Sequence, residues 1–339
     1  MDVTGKAEMH FQTPEGHRQE RHGLPAYNKP LATLTLDEKE QQKLVTAHFQ
    51  GTAERWKTLY QTQDTFADIF QLRLSTALAL IDKLSLAPGS EILDVGCGAG
   101  LASVALAQRC HMVKAVDVAP AMIKSTHDHA AQASVSHRVS ASIGDIHHLA
   151  FPDNAFSVVL AIGVTSWLYS LDAPLREMAR VLRPGGHLVI STANRWGLCR
   201  LLDPRFSPVF STVVSMARRV IGLNGQGSAP RAAQYRLYSL DEFDRILSMA
   251  TFQKVEGMTI GFGPFSFLGI NFLPDFAGVS ISRKLQRLAG RNVPLIKSTG
   301  KLYLVLARKC EDPLGPQDCG PFRTGIHNGT RGSRKKDRQ

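Results

Sequence analysis

The sequence predicts an α/β fold with a mostly parallel sheet, and three observations carry that expectation. Short apolar runs alternate with amphipathic helical segments from Glu91 to Thr192, the rhythm of strands joined by helical crossovers. The first run, Ile92-Leu93-Asp94-Val95, passes directly into a glycine turn, Gly96–Gly100, that opens a helix. The 339 residues, 43% of them hydrophobic, are enough to bury the core of one elaborated α/β domain or two small ones.

Taken in order, residues 1–34 lack apolar periodicity and read as a loose arm. Thr35 followed by Asp37, Glu38 and Glu40 marks a helix start, with acids near the positive end of the helix dipole. Helices are expected over about 36–62 and 65–85. In the second, Phe66, Ile69, Phe70, Leu74, Leu78 and Ile81 fall near helical spacing, and Pro88-Gly89 closes it. Strand 92–95, helix 101–109, strand 113–117, helix 120–133 and strands 139–143 and 156–162 follow. Helix 173–182, a turn at Pro184-Gly185-Gly186 and strand 187–192 complete the regular part. After Asn194 the rhythm breaks. Residues 195–235 show an apolar helical stretch around Phe210–Ile221 and no strand. A helix runs from about Ser239 to Met249, strand 252–260 follows, and an irregular segment, 261–298, precedes strand 302–307. The expected organisation is an arm (1–34), a domain (35–309) with N-terminal helices (35–90) and insertions at 195–235 and 261–298, and a disordered basic tail (310–339).

The formal net charge of +11 is unevenly placed. Residues 1–194 carry −2, residues 195–309 carry +11, residues 310–322 carry −3 and residues 323–339 carry +5. A basic later half can attract nucleic acid, an anionic membrane or an acidic substrate, or can simply be a solvated face. Five cysteines without a C-x-x-C pair exclude a disulfide scaffold and a zinc ribbon, and no metal site is expected. The polar N-terminus reads as having no secretory signal, so a cytoplasmic location is expected. Two uncharged runs, between Asp153 and Asp172 and between Glu256 and Asp275, are interrupted by polar residues, glycine and proline, and neither reads as a membrane span.

The glycine turn carries the chemistry. Without Cβ atoms, Gly96, Gly98 and Gly100 let the backbone turn sharply and approach a ligand, and the helix that follows presents free N–H groups. Asp117, at the end of the next strand, stands where an acid can hold both hydroxyls of a ribose. A nicotinamide dinucleotide fits poorly, because its third glycine would fall at Leu101 and Asp94 would repel a pyrophosphate. A Gly-Lys-Ser/Thr phosphate loop is absent. A cationic ligand with an amino-acid end suits the turn better.

The stretch EILDVGCGAG (91–100) resembles the first motif of class I S-adenosylmethionine-dependent methyltransferases, in particular small-molecule and quinone-pathway members. The resemblance continues through AVDVAPAMI (115–123), GDIHHLAFPDNAFSVVLAIG (144–163) and MARVLRPGGHLVIST (178–192). It implies a Rossmann-like three-layer sandwich on a seven-stranded, mostly parallel sheet with helical insertions. It also implies S-adenosylmethionine as cofactor. Asp94, Gly96, Gly98 and Gly100 would border its methionine part, and Asp117 would take the ribose. Met122 would lie on the adenine, with Asp145 accepting its amino group beside Ile146. Ala161 would lie near the sulfonium, and Arg73 would meet the cofactor carboxylate.

The same resemblance implies a small acceptor, hydrophobic or lipid-linked, with peripheral contact at the inner face of a membrane. Apolar residues interleaved with Arg283, Lys284, Arg287 and Arg291 fit such contact. Two alternatives stand beside this one: a cofactor-binding protein without transfer activity, and a nucleic-acid methyltransferase. The second is disfavoured by the missing Asn/Asp-Pro-Pro-Tyr/Phe tetrapeptide. No general base is assigned. His147 and His148 occupy a position that varies in the family, Cys97 reads as a small packing residue, and Trp167 and Tyr169 follow the fourth strand where substrates commonly sit.

Overall fold

The computed structural model describes residues 37–59, 64–203, 233–267 and 270–310. These belong to one of two units of the chain, Leu34–Gln339. The arm, the tail beyond Cys310 and the stretch around Phe210–Ile221 lie outside the described residues.

Helices α1 (Glu38–Leu59) and α2 (Thr65–Asp82) precede β1 (Glu91–Val95). Asp64 caps α2, its carboxylate accepting the Ala67 N–H at 2.7 Å. Then come α3 (Leu101–Gln108), β2 (Met112–Asp117), α4 (Pro120–Gln132), β3 (Val139–Ile143), β4 (Phe156–Ala161), α5 (Asp172–Val181) and β5 (Leu182–Ala193). A short α6 (Leu198–Leu202) follows, then α7 (Leu240–Met249), which starts on a capping box between Ser239 and Glu242. The remaining elements are β6 (Phe252–Ile260), the hairpin β7 (Ser266–Phe267) and β8 (Ile270–Asn271), α8 (Asp275–Gly290) and β9 (Leu302–Lys309).

Seven strands form one sheet in the order β3-β2-β1-β4-β5-β9-β6. The first five are parallel, and β9 runs antiparallel between β5 and β6. Alternation within the strands splits the core into two layers. Leu93, Val95, Val159 and Ala161 face α5 and α7 through Leu175, Met178, Phe243 and Leu247. Ile92, Val158 and Leu160 face α2, α3 and α4 through Leu78, Ile81, Leu106 and Ala130. This is the expected Rossmann-like three-layer sandwich. The chain reverses its direction of travel across the sheet between β1 and β4, so a crevice opens beyond the carboxyl ends of those two strands.

Three local expectations are corrected. The segment 261–298 is not irregular throughout: it holds the β7–β8 hairpin and the 16-residue α8. The buried side of α8 carries Gly278, Ser282 and Ala289, with Leu285 packed beside them against Phe262 and Phe265. The Pro184-Gly185-Gly186 turn lies inside β5 as an irregularity, where pairing with β4 jumps from Phe156↔Leu182 to Val158↔His187. Finally, α2 ends at Asp82, earlier than expected, and α6 was not foreseen.

Candidate active site

Gly96, Gly98 and Gly100 have φ of +67°, +55° and +78°, a left-handed backbone that glycine adopts at least cost. Two of the three also lack room for a side chain. A Cβ on Gly96 would come within 2.3 Å of Val164 Cγ2, and one on Gly100 within 2.6 Å of Thr126 Cγ2. A Cβ on Gly98 meets nothing within 4 Å. The outer two glycines are thus spent on packing, while the middle one faces open space.

Two buried carboxylates frame this turn. Asp94, near the end of β1, accepts a 2.6 Å hydrogen bond from Ser103 Oγ on α3. Burial pushes its carboxyl up to about 6; the Ser103 bond opposes that rise and the neighbouring Asp117 charge adds to it. Asp117, the last residue of β2, accepts the N–H of Gly98 at 3.0 Å and of Ala119 at 2.9 Å. Burial raises its carboxyl as well, against the pull of those backbone N–H groups. Two carboxylates held in a dry site favour a cation between or beside them. Cys97, in the same turn, has its thiol held well above the ordinary range by burial and by both carboxylates, so it stays protonated and unreactive.

Arg73 reaches the same crevice from α2. Its side chain is buried, its guanidinium lies 4.5 Å over the Phe70 ring, and its Nε has no hydrogen-bond partner. Gly163, two residues past β4, is the contact that locates it: a Cβ there would fall 2.3 Å from Arg73 Nη1. A buried guanidinium with an unmatched N–H calls for an acceptor, and a ligand carboxylate supplies one.

The other expected residues spread outward from this centre. Ala161 is fully buried at the end of β4. Met122 is buried on α4 with Ala119 and packs against Phe49, Ala53 and Trp56 of α1. Asp145 stands beyond β3, two residues past the partner of Asp117 in the sheet, and is half exposed. Its Oδ1 accepts the backbone N–H of His147 at 3.0 Å and contacts His147 Nδ1 at 2.7 Å, leaving Oδ2 toward other donors. Ile146 beside it is buried in the core. His147 contacts Asp145 through Nδ1, and its Nε2 lies 3.5 Å from Oε1 of Glu38 on α1 without a hydrogen bond to it. It therefore sits between α1 and the β3–β4 loop. The structure brings Arg73, Asp94, the three glycines, Asp117 and Ala161 to one end of neighbouring strands, with Met122, Asp145 and Ile146 on the β2–β3 side.

Sequence reasoning singled out Trp167 but did not find the aromatic cluster built around it beyond β4. His48 of α1 stacks on Trp167 with centroids 5.2 Å apart, and Tyr235 meets Trp167 edge-on at 5.0 Å. Burial holds the Tyr235 phenol above its usual range, opposed by a hydrogen bond with Ser166 and by the charges of Arg73 and Arg200. Gln41, also on α1, is buried and donates to the carbonyls of Trp167 (2.8 Å) and Gln234 (2.9 Å), while accepting the Gln234 N–H (2.8 Å). These contacts join residues 126 to 193 positions apart, and no local pattern announces them. Among the described residues no group of acids, histidines and cysteines could hold a metal ion.

The donor set fits S-adenosylmethionine: carboxylates for its cationic and hydroxyl groups, an unmatched arginine for its carboxylate, and open space at Gly98. Comparison with known proteins agrees. Residues 93–190 match the family model described as a methyltransferase domain. A malonyl-[acyl-carrier protein] O-methyltransferase of Serratia marcescens is 37% identical over 116 residues, 34% of this chain and 43% of that protein. A ubiquinone biosynthesis O-methyltransferase of Xanthomonas oryzae pv. oryzae is 32% identical over 148 residues, 43% of this chain and 59% of that protein. The chain thus spans less than two thirds of the curated relatives it matches. Among solved structures, magnesium protoporphyrin IX methyltransferase from Synechocystis PCC 6803, with bound S-adenosylhomocysteine, superposes with a TM-score of 0.52 at 16% identity, covering 79% of this chain and 99% of the other. The [4+2]-cyclase SpnF gives 0.51 at 18% identity, covering 80% and 97%. At such identities these two likenesses speak to the fold. The motif match over residues 93–190, the sheet order and the residues at the strand ends agree: this part of the chain is similar to the methyltransferase domain of class I, S-adenosylmethionine-dependent enzymes.

Proposed function

We propose that the chain is an S-adenosylmethionine-dependent methyltransferase acting on a small acceptor that is hydrophobic or lipid-linked. The observation that carries the reading is the convergence of Asp94, Asp117 and the partnerless Arg73 Nε on a glycine turn whose Gly98 opens onto free space. In this reading Arg73 holds the cofactor carboxylate, and Asp94 and Gly96–Gly100 hold the methionine part. Asp117 holds the ribose, and Met122, Asp145 and Ile146 hold the adenine. When bound, the cofactor supplies a methyl group activated by the positive sulfonium.

What remains for the protein is to align the acceptor and exclude water, which can be worth several orders of magnitude in rate. The wall of His48, Trp167 and Tyr235 suits both tasks at the side where β4 ends. An aromatic surface also favours an apolar or ring-bearing acceptor over a small hydrophilic one. The names of the two relatives, which point to a quinone pathway and an acyl carrier protein, support the hydrophobic or carrier-linked class. A lipid-linked acceptor would be met at the inner face of a membrane, and the proposal includes peripheral contact there.

The test is turnover. Purified protein with methyl-labelled S-adenosylmethionine is offered fractionated aqueous and lipid extracts, and S-adenosylhomocysteine and labelled products are followed. Label entering an organic-soluble product supports the reading. Label entering only nucleic acid, or cofactor binding without turnover in any fraction, overturns it.

A further inference from the structure

Helix α8 presents two opposite faces. Gly278, Ser282 and Ala289 are buried against the domain. The packing is specific: Ser282 Oγ accepts the Phe262 N–H at 3.3 Å and Gln286 Oε1 accepts the Gly261 N–H at 2.9 Å. Phe276, Arg283, Lys284, Arg287 and Arg291 are all exposed. At 100° per residue these five fall within an arc of about 100°, diametrically opposite the buried residues. Lys284, Arg287 and Arg291 therefore form an exposed row of cations along the C-terminal half of the helix.

Apolar side chains continue this row at the N-terminal end of α8, where burial would be expected. Phe276 is 78% exposed, and the preceding hairpin adds Ile270 at 73%, Phe272 at 55% and Phe267 at 51%. Four large apolar residues within ten positions, all facing solvent, are more than the scattered exposure of an ordinary surface. Phe276, Arg283 and Arg287 also share the lining of a groove of about 730 Å³ between α2 and α8, with Gln71 and Leu72 on the other bank.

We infer that the β7–β8 hairpin and the outer face of α8 form a docking surface for an anionic lipid bilayer. Aromatic and aliphatic tips from the hairpin and Phe276 enter the headgroup region, while Lys284, Arg287 and Arg291 lie along the negatively charged surface. The charge complementarity chooses the partner's sign, and the clustered apolar tips choose lipid over nucleic acid, whose phosphates offer them nothing to bury. Arg283 has a different duty: its Nε and Nη2 donate to Asp68 Oδ1 at 3.0 and 2.7 Å, tying α8 to α2. No helix among the described residues is long and apolar enough to cross a membrane, so this contact is lateral. The inference extends the lipid-linked acceptor proposed above, but vesicle binding is read without any methyl transfer.

The experiment is sedimentation of the full chain with vesicles of phosphatidylcholine alone or with 30% phosphatidylglycerol (about one anionic lipid in three), at low and high salt. Wild type is expected to sediment with the anionic vesicles only and to be released by salt. K284E/R287E/R291E is expected to lose at least about tenfold in partitioning. F272S/F276S is expected to bind more weakly while keeping its salt dependence. Circular dichroism and cofactor binding confirm that both variants are folded. Failure of wild type to sediment overturns the inference, as does sedimentation of the charge variant equal to wild type, which would locate the attraction elsewhere. Vesicle binding without turnover leaves this surface standing and removes the proposed activity; turnover without vesicle binding does the reverse.

Discussion

Arg73 and Gly163 are fitted to each other: the guanidinium of one occupies the space where the other would carry a side chain, 2.3 Å from that absent Cβ. The pair links α2 to the end of β4 across the crevice, and it makes a prediction about binding. Gly163→Ala should displace Arg73 as well as strain a backbone at φ +81°, a strain of about 1–2 kcal/mol. S-adenosylmethionine affinity should fall at least tenfold in calorimetry, and Arg73→Met should show a similar loss. The double variant should lose little beyond Arg73→Met alone, because both changes remove one contact. Additive losses would show that Gly163 and Arg73 act independently.

The glycine turn separates packing from ligand space. Gly96→Ala and Gly100→Ala would each drive a Cβ into Val164 or Thr126, so both should lower the melting temperature by several degrees. A Cβ on Gly98 meets nothing within 4 Å, so Gly98→Val bears chiefly the cost of a β-branched residue at positive φ. It should remain folded and lose the cofactor. Unchanged affinity in folded Gly98→Val would mean that the open space beside Gly98 is not the cofactor's.

Asp94 predicts a pH dependence whose sign is fixed by its burial. Its carboxyl titrates near 6 when folded against an ordinary 3.8, so the folded state binds the proton more tightly. That contribution is fully present below about pH 4 and is lost as pH rises through 6; a displacement of this size is worth about 3 kcal/mol. Without ligand, stability from urea unfolding should decline over this window, and Asp94→Asn should remove a large part of the decline. Asp117 is raised in the same direction and accounts for a remainder. A cation seated beside Asp94 favours the charged form, so saturating S-adenosylmethionine should flatten the wild-type curve. An identical pH profile in wild type and Asp94→Asn would contradict the buried carboxylate.

Asp117 is both a ligand candidate and a brace. Asp117→Ala removes the acceptor of the Gly98 and Ala119 N–H groups, charge-assisted bonds worth roughly 1.5–3 kcal/mol each. Cofactor affinity should fall by well over tenfold. Binding within about twofold of wild type would dismiss the ribose role.

Much of this was readable in the chain because it is local. The strand-to-glycine-turn-to-helix sequence from Ile92 to Arg109 and the acid ending the next strand sit within 26 residues, and the apolar runs are buried as a sheet covered on both faces requires. The position of Arg73 beside Gly163 was not readable from spacing, since it depends on how α2 lies across the sheet. Helix α8 was missed for a different reason. Its most deeply buried residues are glycine, serine and alanine, so Val279, Ile281, Leu285 and Leu288 between the cations read as an interfacial stretch within an irregular segment and not as a packed helix. The aromatic wall needed α1, the loop after β4 and the segment at 234–235 to be brought together in space, which no window along the sequence contains.

Gln41 makes the last prediction, because it is the buried clasp of that wall. Its amide bonds to the Trp167 carbonyl and to both backbone groups of Gln234, joining three separate segments through one side chain that is 3% exposed. Gln41→Leu keeps roughly the same volume and removes all three bonds, each worth about 1 kcal/mol. Global stability should drop by a few kcal/mol at most, since α1 packs on α4 through Met122, Phe49 and Trp56 independently. Local opening is where the larger effect should appear. Hydrogen exchange across 38–50, 165–168 and 234–238 should accelerate, and the cofactor should dissociate faster with little change in its association rate. Gln41→Glu offers the control: it retains an acceptor for the Gln234 N–H but sets a charge against two carbonyls, and should be the worse of the two. If exchange accelerates evenly over the whole domain instead, Gln41 is simply part of the core, and the wall over the strand ends has no clasp of its own.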